Sequence, residues 1–178
     1  MNYLLTGVET DRLIFREIQK SNFKEWLKFF QDPTTSIHWI EEKKSPEEEC
    51  NAWYQKQFWR YKNEMGGMNA LIEKASGKLI GHCGLLVQTV DDHTELEIGY
   101  SLLSEFWGKG YASEAAIMCR DYTFQNDLSE SLISIISLAN IPSQNVAMKN
   151  GMVIEKETNY KANRVYIFRI NKRDWRQI

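Results

Sequence analysis

The chain has 178 residues, 43% of them hydrophobic, with 22 Lys and Arg against 24 Asp and Glu for a net charge of −2. That length suits one domain, residues 1–178, around one main core, and a near-neutral balance without a strongly basic stretch disfavours general nucleic-acid binding. No apolar run approaches the about 20 residues that span a bilayer, and the first twelve residues lack the basic-then-apolar order of a signal peptide, so a cytoplasmic protein without a membrane partner is expected.

Residues 12–18 read as a first strand. Asn22, with Glu25 three residues on, has the spacing of a helix cap. Phe23, Trp26, Leu27 and Phe30 then fall on one face of an amphipathic helix that Asp32-Pro33 ends. Ser45-Pro46-Glu47-Glu48 opens a second helix with a capping Ser, Pro at the first helical position and Glu at the third. Its apolar stripe is Cys50, Trp53, Tyr54, Phe58 and Tyr61, and Gly66-Gly67 stops it. Strands follow at residues 69–74 and 79–90 around the turn Ser76-Gly77. Asp91-Asp92-His93 turns into a strand over 95–103, where Leu96, Ile98, Tyr100 and Leu102 alternate. A helix over 112–125 buries Ala112, Ala115, Cys119 and Tyr122. Residues 132–138 form a β-rich strand, 142–149 a short helix closed by Gly151, and 153–160 with 164–170 a final hairpin. The order β-α-α-β-β-β-α-β-α-β-β predicts a layered α/β (α+β) domain, a mixed sheet with helices on both sides.

Cys50, Cys83 and Cys119 form no CxxC, and His38, His82 and His93 have no ligand spacing, so no metal site is expected. The thiols are expected free and buried. His82 reads as a structural strand residue and His93 as a solvated turn.

Between the strand over 95–103 and the helix that follows lies Trp107-Gly108-Lys109-Gly110-Tyr111-Ala112-Ser113-Glu114. Two glycines and a small residue at a helix mouth allow a tight turn and close approach to a ligand. The first N–H groups of the helix have no partner within it, and its dipole places partial positive charge there. That combination binds phosphate, and Lys109 adds a movable positive charge. The Walker pattern fails because Tyr111 follows Gly110, and the Rossmann pattern fails because position 113 is Ser.

Glu97-Ile98-Gly99-Tyr100-Ser101-Leu102-Leu103 followed by this loop resembles the acetyl-CoA motif of the GNAT N-acetyltransferases. In that motif, Gln/Arg-x-x-Gly-x-Gly/Ala, Gly110 and Ala112 match the last two defined positions and Trp107 stands in place of Gln or Arg. The segment Asn140-Ile141-Pro142-Ser143-Gln144-Asn145-Val146-Ala147-Met148-Lys149-Asn150-Gly151-Met152 resembles the Asn-x-x-Ser…Lys-x-Gly-Phe stretch of the RimJ/RimL-like branch, the ribosomal-protein N-terminal acetyltransferase type. Thr10-Asp11-Arg12-Leu13-Ile14-Phe15-Arg16 is similar to its opening strand. The resemblance implies a GNAT-like, mostly antiparallel sheet and transfer of acetyl from acetyl-CoA to a primary amine, such as a protein N-terminus, by direct attack on the thioester. A small-molecule or antibiotic amine is the alternative acceptor, and a non-catalytic acyl-CoA-binding module or an unrelated nucleotide-binding domain the alternative class. The oligomeric state is left open, a homodimer included.

By position, the resemblance assigns the pantetheine arm to backbone groups of Leu102 and Leu103. It assigns the pyrophosphate to the N–H groups of Gly108, Lys109, Gly110, Tyr111, Ala112 and Ser113, and cofactor contacts to Trp107, Asn140 and Asn145. Glu97, facing away from the side of Ile98, is the candidate base, direct or through water; Glu95 shares its face and is its substitute. Many members carry a Tyr where this chain has Ala147, so Ser143 becomes the candidate partner of the departing thiolate; its other reading is a helix cap. His38-Trp39, between the first two helices, lies where the family lines the acceptor site.

Overall fold

The computed structural model describes residues 3–38 and 44–175. In chain order these form β1 (Leu13–Arg16), α1 (Phe23–Gln31), α2 (Pro46–Lys62), β2 (Gly66–Glu73), β3 (Leu79–Val90), β4 (His93–Leu102), α3 (Tyr111–Gln125), β5 (Ser131–Ser137), α4 (Ile141–Lys149), β6 (Val153–Tyr160), β7 (Asn163–Asn171) and α5 (Lys172–Trp175). The expected order stands, with the single turn of α5 added at the end.

Local chemistry accounts for the boundaries. Ser45 Oγ accepts from the Glu48 N–H and the Glu48 carboxylate accepts from the Ser45 N–H at 2.9 Å, so α2 opens with the predicted capping box. Asn22 precedes α1 but makes no side-chain cap. Its Oδ1 accepts instead from Arg16 Nη2 at 2.7 Å, a charge-assisted bond stronger than a cap, and Glu25 pairs with Lys28. The helix α2 ends at Lys62, and Gly66-Gly67 open β2 rather than stopping the helix. On its inner face Gln57 and Arg60 are buried beside Cys50 and Tyr54, whereas Trp53, Phe58 and Tyr61 lie half-buried at the edge. Gln57 accepts from the Met68 N–H and Arg60 donates to the carbonyls of Met65 and Val87, which ties α2 to the edges of β2 and β3.

The seven strands form one sheet in the order β1-β2-β3-β4-β5-β7-β6. Its neighbours are antiparallel apart from β4 and β5, which are parallel. On one face α3 and α4 cover the main core, including Phe15, Leu71, Leu85, Ile98, Leu102, Cys119, Phe124 and Phe168. On the other, α1 and α2 cover a second cluster around Trp26, Cys50, Tyr54 and Ala70. The three cysteines are buried and free.

The seam between β4 and β5 positions the site. The two strands share a single register pair, Glu97 with Ile133, and then diverge. A parallel ladder normally continues bond by bond. Here β4 runs on to Leu102 and β5 to Ser137 with no further pairing, and a groove opens between them.

Candidate active site

The groove exposes backbone from β4. The Leu103 N–H donates to the Ile80 carbonyl at 3.0 Å. Main-chain groups of alternate residues point the same way, so Leu103, Ser101, Gly99 and Glu97 turn theirs toward β3, and Leu102, Tyr100 and Ile98 turn theirs toward the split. The Ile98 carbonyl accepts from Ser134 Oγ and the Leu102 carbonyl from Trp107 Nε1, both at 2.9 Å. Tyr100 between them keeps its main-chain groups facing the groove. Of the two leucines expected to supply backbone contacts, Leu102 faces the split. Leu103 is held by the sheet, its carbonyl accepting from the Phe106 N–H as well.

The loop after β4 is built as an anion cradle. Gly108 (φ 72°) and Gly110 (φ 83°, the residue preceding α3) adopt left-handed backbone that other residues rarely hold. Beyond the Trp107 N–H, which bonds the Ser104 carbonyl, the N–H groups of residues 108–113 have no partner among the described residues. Trp107 staples the loop to the end of β4 through its indole. Lys109 Nζ lies 5.2 Å from the Phe106 ring centroid. Ala112 and Ser113 are half-buried in the first turn of α3, and the Tyr111 hydroxyl turns inward to donate to Glu73.

A brace for this loop comes from the N-terminal segment. Arg12 Nη1 donates to the Lys109 carbonyl at 3.0 Å, and Arg12 Nε to Glu114 Oε2 at 2.6 Å. Thr10 Oγ1 and the Arg12 N–H both bond Glu114 Oε1. Burial pushes the Glu114 carboxyl up, but the bonds from Thr10 and Arg12 outweigh it and hold the group below its usual range. The Arg12 guanidinium also lies 4.3 Å from the Tyr111 ring centroid.

Glu97 stands at the seam, half-buried and lining the groove. Its carboxylate accepts from Gln88 Nε2 at 2.6 Å, and the nearby Ile135 N–H favours its charged form. Desolvation raises its pKa; the bond from Gln88, the Ile135 N–H and the charges of Arg60 and Lys161 offset this only in part. Glu95 is no substitute: both its oxygens are clamped by Arg169, at 2.6 and 3.0 Å, in a structural ion pair.

Across the groove α4 presents Asn140 and Ser143. The cap of α4 is Asn140, whose Oδ1 accepts from the Ser143 N–H at 3.1 Å; Ser143 is therefore not the cap. The Ser143 carbonyl accepts from the Tyr100 hydroxyl at 2.8 Å. Burial raises the Tyr100 phenol above its ordinary range, so it keeps its proton. Ala147 is buried in the main core, and Asn145 is exposed and does not line the groove. His93 is exposed in its turn, with Nδ1 against the Asp91 carbonyl. His82 is fully buried against Trp26 and Trp53, with neither ring nitrogen partnered. His38 lies in the turn after α1, and Trp39 is outside the described residues. The pattern of residues hid Arg12, Gln88 and Tyr100; only the pairing of distant segments reveals them.

Residues 12–153 match the family described as acetyltransferase (GNAT) domain. YkkB, an uncharacterized protein of Bacillus subtilis (strain 168), is 33% identical over 157 residues, covering 85% of this chain and 87% of YkkB. YnaD of the same organism, named an uncharacterized N-acetyltransferase, is 31% identical over 147 residues, covering 82% of this chain and 81% of YnaD. Among solved structures, RimL, a ribosomal L7/L12 α-N-protein acetyltransferase in complex with coenzyme A, shares the fold. The TM-score is 0.71 at 15% identity, over 93% of this chain and 97% of that one.

Proposed function

The chain belongs to the GNAT acetyltransferase family and is an acetyl-CoA-dependent N-acetyltransferase, and from that premise we propose that it acetylates a primary amine at the Glu97 groove, of the kind a protein N-terminus presents. The observation that carries this reading is the placement of Glu97. A desolvated carboxylate stands at the point where the sheet opens, and the strand that bears it leads into a loop of unpaired N–H groups. The N-terminal acetylation named for RimL, and its complex with coenzyme A, support the acceptor class and the ligand.

In this reading the N–H groups of residues 108–113 hold the pyrophosphate with Lys109 nearby, and the main-chain groups of Tyr100 and Leu102 hold the arm. Acetyl-CoA supplies an already activated thioester. Glu97 takes a proton from the acceptor ammonium, directly or through water. The neutral nitrogen then forms its bond to the thioester carbonyl carbon, the C–S bond breaks as the oxyanion collapses, and the nitrogen, positively charged once bonded, releases its extra proton to solvent. Main-chain N–H groups at the split stabilise that oxyanion. The departing thiolate, with a pKa near 8.5, takes its proton from solvent beside the Ser143 hydroxyl. Asn140, already spent on the Ser143 N–H through its oxygen, retains its amide NH₂ as a donor to the cofactor. Asn145, outside the groove, would reach only the adenylate end.

Calorimetric titration with acetyl-CoA, with ATP and NAD as controls, tests this on the wild type and on Gly110→Val. Selective acetyl-CoA binding that the variant loses is expected, followed by turnover on a panel of amines. Binding without turnover on any amine would favour a non-catalytic acyl-CoA module, a reading that Ala147 in place of the usual Tyr keeps relevant. Absence of acetyl-CoA binding would overturn the assignment.

A further inference from the structure

Residues 132–136 read Leu-Ile-Ser-Ile-Ile, a single hydroxyl in an apolar run at the middle of β5. Ser134 is buried, with 2% of its surface exposed. A buried hydroxyl needs a partner, and Ser134 Oγ donates across the seam to the Ile98 carbonyl at 2.9 Å. Both residues line the groove, from opposite sides of the split.

No irregularity of either strand divides β4 from β5. β4 keeps one register with β3 from His93 to Leu102, and β5 keeps one register with β7 from Ser131 to Ser137. A bulge bends a strand away from its neighbour, and neither pairing contains one. The ladder ends after Glu97 and Ile133, and the next residue of β4, Ile98, is the one whose carbonyl a side chain occupies. Extended in that register, a parallel ladder gives the Ile98 carbonyl the Ile135 N–H, and then gives the Tyr100 N–H the Ile135 carbonyl. An unpartnered buried carbonyl is costly, and that cost normally draws two strands together. Here the Ser134 hydroxyl removes it at the first step. Two N–H groups are thereby released from the ladder. That of Ile135, which lines the groove with Glu97, favours the charged form of the carboxylate. That of Tyr100 faces the groove.

Resting on acetyl transfer at this groove, we propose that Ser134 is a positioning residue for the reaction. Its hydroxyl takes the Ile98 carbonyl out of the ladder, keeps β4 and β5 apart, and so leaves the Ile135 N–H beside Glu97 and the Tyr100 N–H to the thioester oxygen. Ser134 acts through these main-chain groups, not on the substrate.

The test compares Ser134→Thr, which keeps the hydroxyl, with Ser134→Val, its equal in shape without one, and with Ser134→Ala, which adds no bulk to the buried site. Crystal structures of the Val and Ala variants are expected to show the ladder one bond longer, with Ile135 N and Ile98 O about 3 Å apart. Rates are taken at saturating acetyl-CoA on the fastest of ethanolamine, glutamate and a peptide opening Ser-Ala. In Val and Ala, kcat is expected to fall about tenfold or more, part of the loss that follows removal of an oxyanion donor, while Thr stays close to wild type. The acid limb of kcat/KM should move to higher pH by about half a unit in Val and Ala, the smaller share of what Gln88 and Ile135 supply together. The ionisable groups whose charges act on Glu97 are Arg60 and Lys56 on α2, Lys161 in the turn between β6 and β7, and Tyr100 on β4, and every variant keeps them. A general loss of stability moves neither the limb nor the strands. Strands still apart in Val and Ala with water on the Ile98 carbonyl, an unmoved acid limb, or equal rates in Thr and Val overturns the proposal. The structures are read without turnover, so absence of activity on every amine would defeat the acetyltransferase reading and leave the ladder result to stand or fall by itself.

Discussion

Gln88 Nε2 donates to Glu97 Oε2 across 2.6 Å, while Gln88 Oε1 accepts from Arg60 Nη2 at 2.9 Å. Arg60 has only donors, so it fixes which end of the Gln88 amide turns toward Glu97. The amide then favours the charged carboxylate against a burial that favours the neutral acid. Gln88→Leu removes the largest of the contributions that oppose burial and leaves the weaker ones of Ile135, Arg60 and Lys161. Glu97 must be ionised to accept a proton, so kcat/KM falls as pH drops through its pKa. In Gln88→Leu that acid limb should move to higher pH by about one unit, the equivalent of one lost hydrogen bond. A pH–rate profile checks this; an unmoved limb would show that Gln88 only fills space.

Glu97→Gln should lower kcat by about 100-fold, the lower range for a positioned base, with little change in the acetyl-CoA dissociation constant. It should also abolish the acid limb. Steady-state kinetics across pH, paired with calorimetry, make the comparison. Rates equal to wild type at every pH would remove Glu97 from the reaction.

Arg12→Ala should weaken acetyl-CoA binding about tenfold, although no pyrophosphate contact is assigned to Arg12. The guanidinium holds the Lys109 carbonyl and the Glu114 carboxylate together, and a fork spanning two acceptors is beyond the single ammonium of Arg12→Lys. The lysine variant should therefore recover only part of the loss. Titration of both variants with acetyl-CoA settles whether the brace matters; wild-type affinity in Arg12→Ala would mean that the loop holds its own shape.

His82 makes stability depend on pH. Burial, assisted by the Arg16 charge, lowers its pKa to about 3, against about 6.5 in the unfolded chain. Between these values the unfolded state binds a proton that the folded state refuses. The contribution is therefore fully present above pH 6.5 and lost as pH falls, with a slope approaching about 1.4 kcal/mol per unit. His82→Phe keeps a ring against Trp26 and Trp53 and removes two unpartnered nitrogens. Urea unfolding at pH 7 and pH 5 should show wild type losing stability and the variant losing less. Equal losses would mean that His82 titrates normally.

Much of the fold was legible because alternation and capping are local. The pattern of Leu96, Ile98 and Leu102 placed those side chains in the core and turned Glu97 to the other face, and Ser45 and Glu48 cap α2 as their spacing required. What depended on distant partners was not legible. Nothing in residues 22–25 announces that Arg16 will take the Asn22 side chain, and nothing near Glu95 announces Arg169. Arg60 occupies a helix position that hydrophobicity alone left to Phe58 and Tyr61, because it satisfies carbonyls contributed by other elements. The divergence of β4 from β5 is likewise invisible: both read as ordinary apolar strands, and the gap exists only in their pairing.

That gap also bears on how the protein responds to heat. With one register pair joining residues of β4 to β5, the two halves of the sheet are coupled mainly through side chains and the helix that crosses between them. A ligand that fills the space binds the closed sheet and not the unfolded chain, so every tenfold of its concentration above the dissociation constant adds about 1.4 kcal/mol of stability. The melting temperature of this chain is therefore a gauge of groove occupancy, and a thermal-shift screen reads out candidate ligands without turnover.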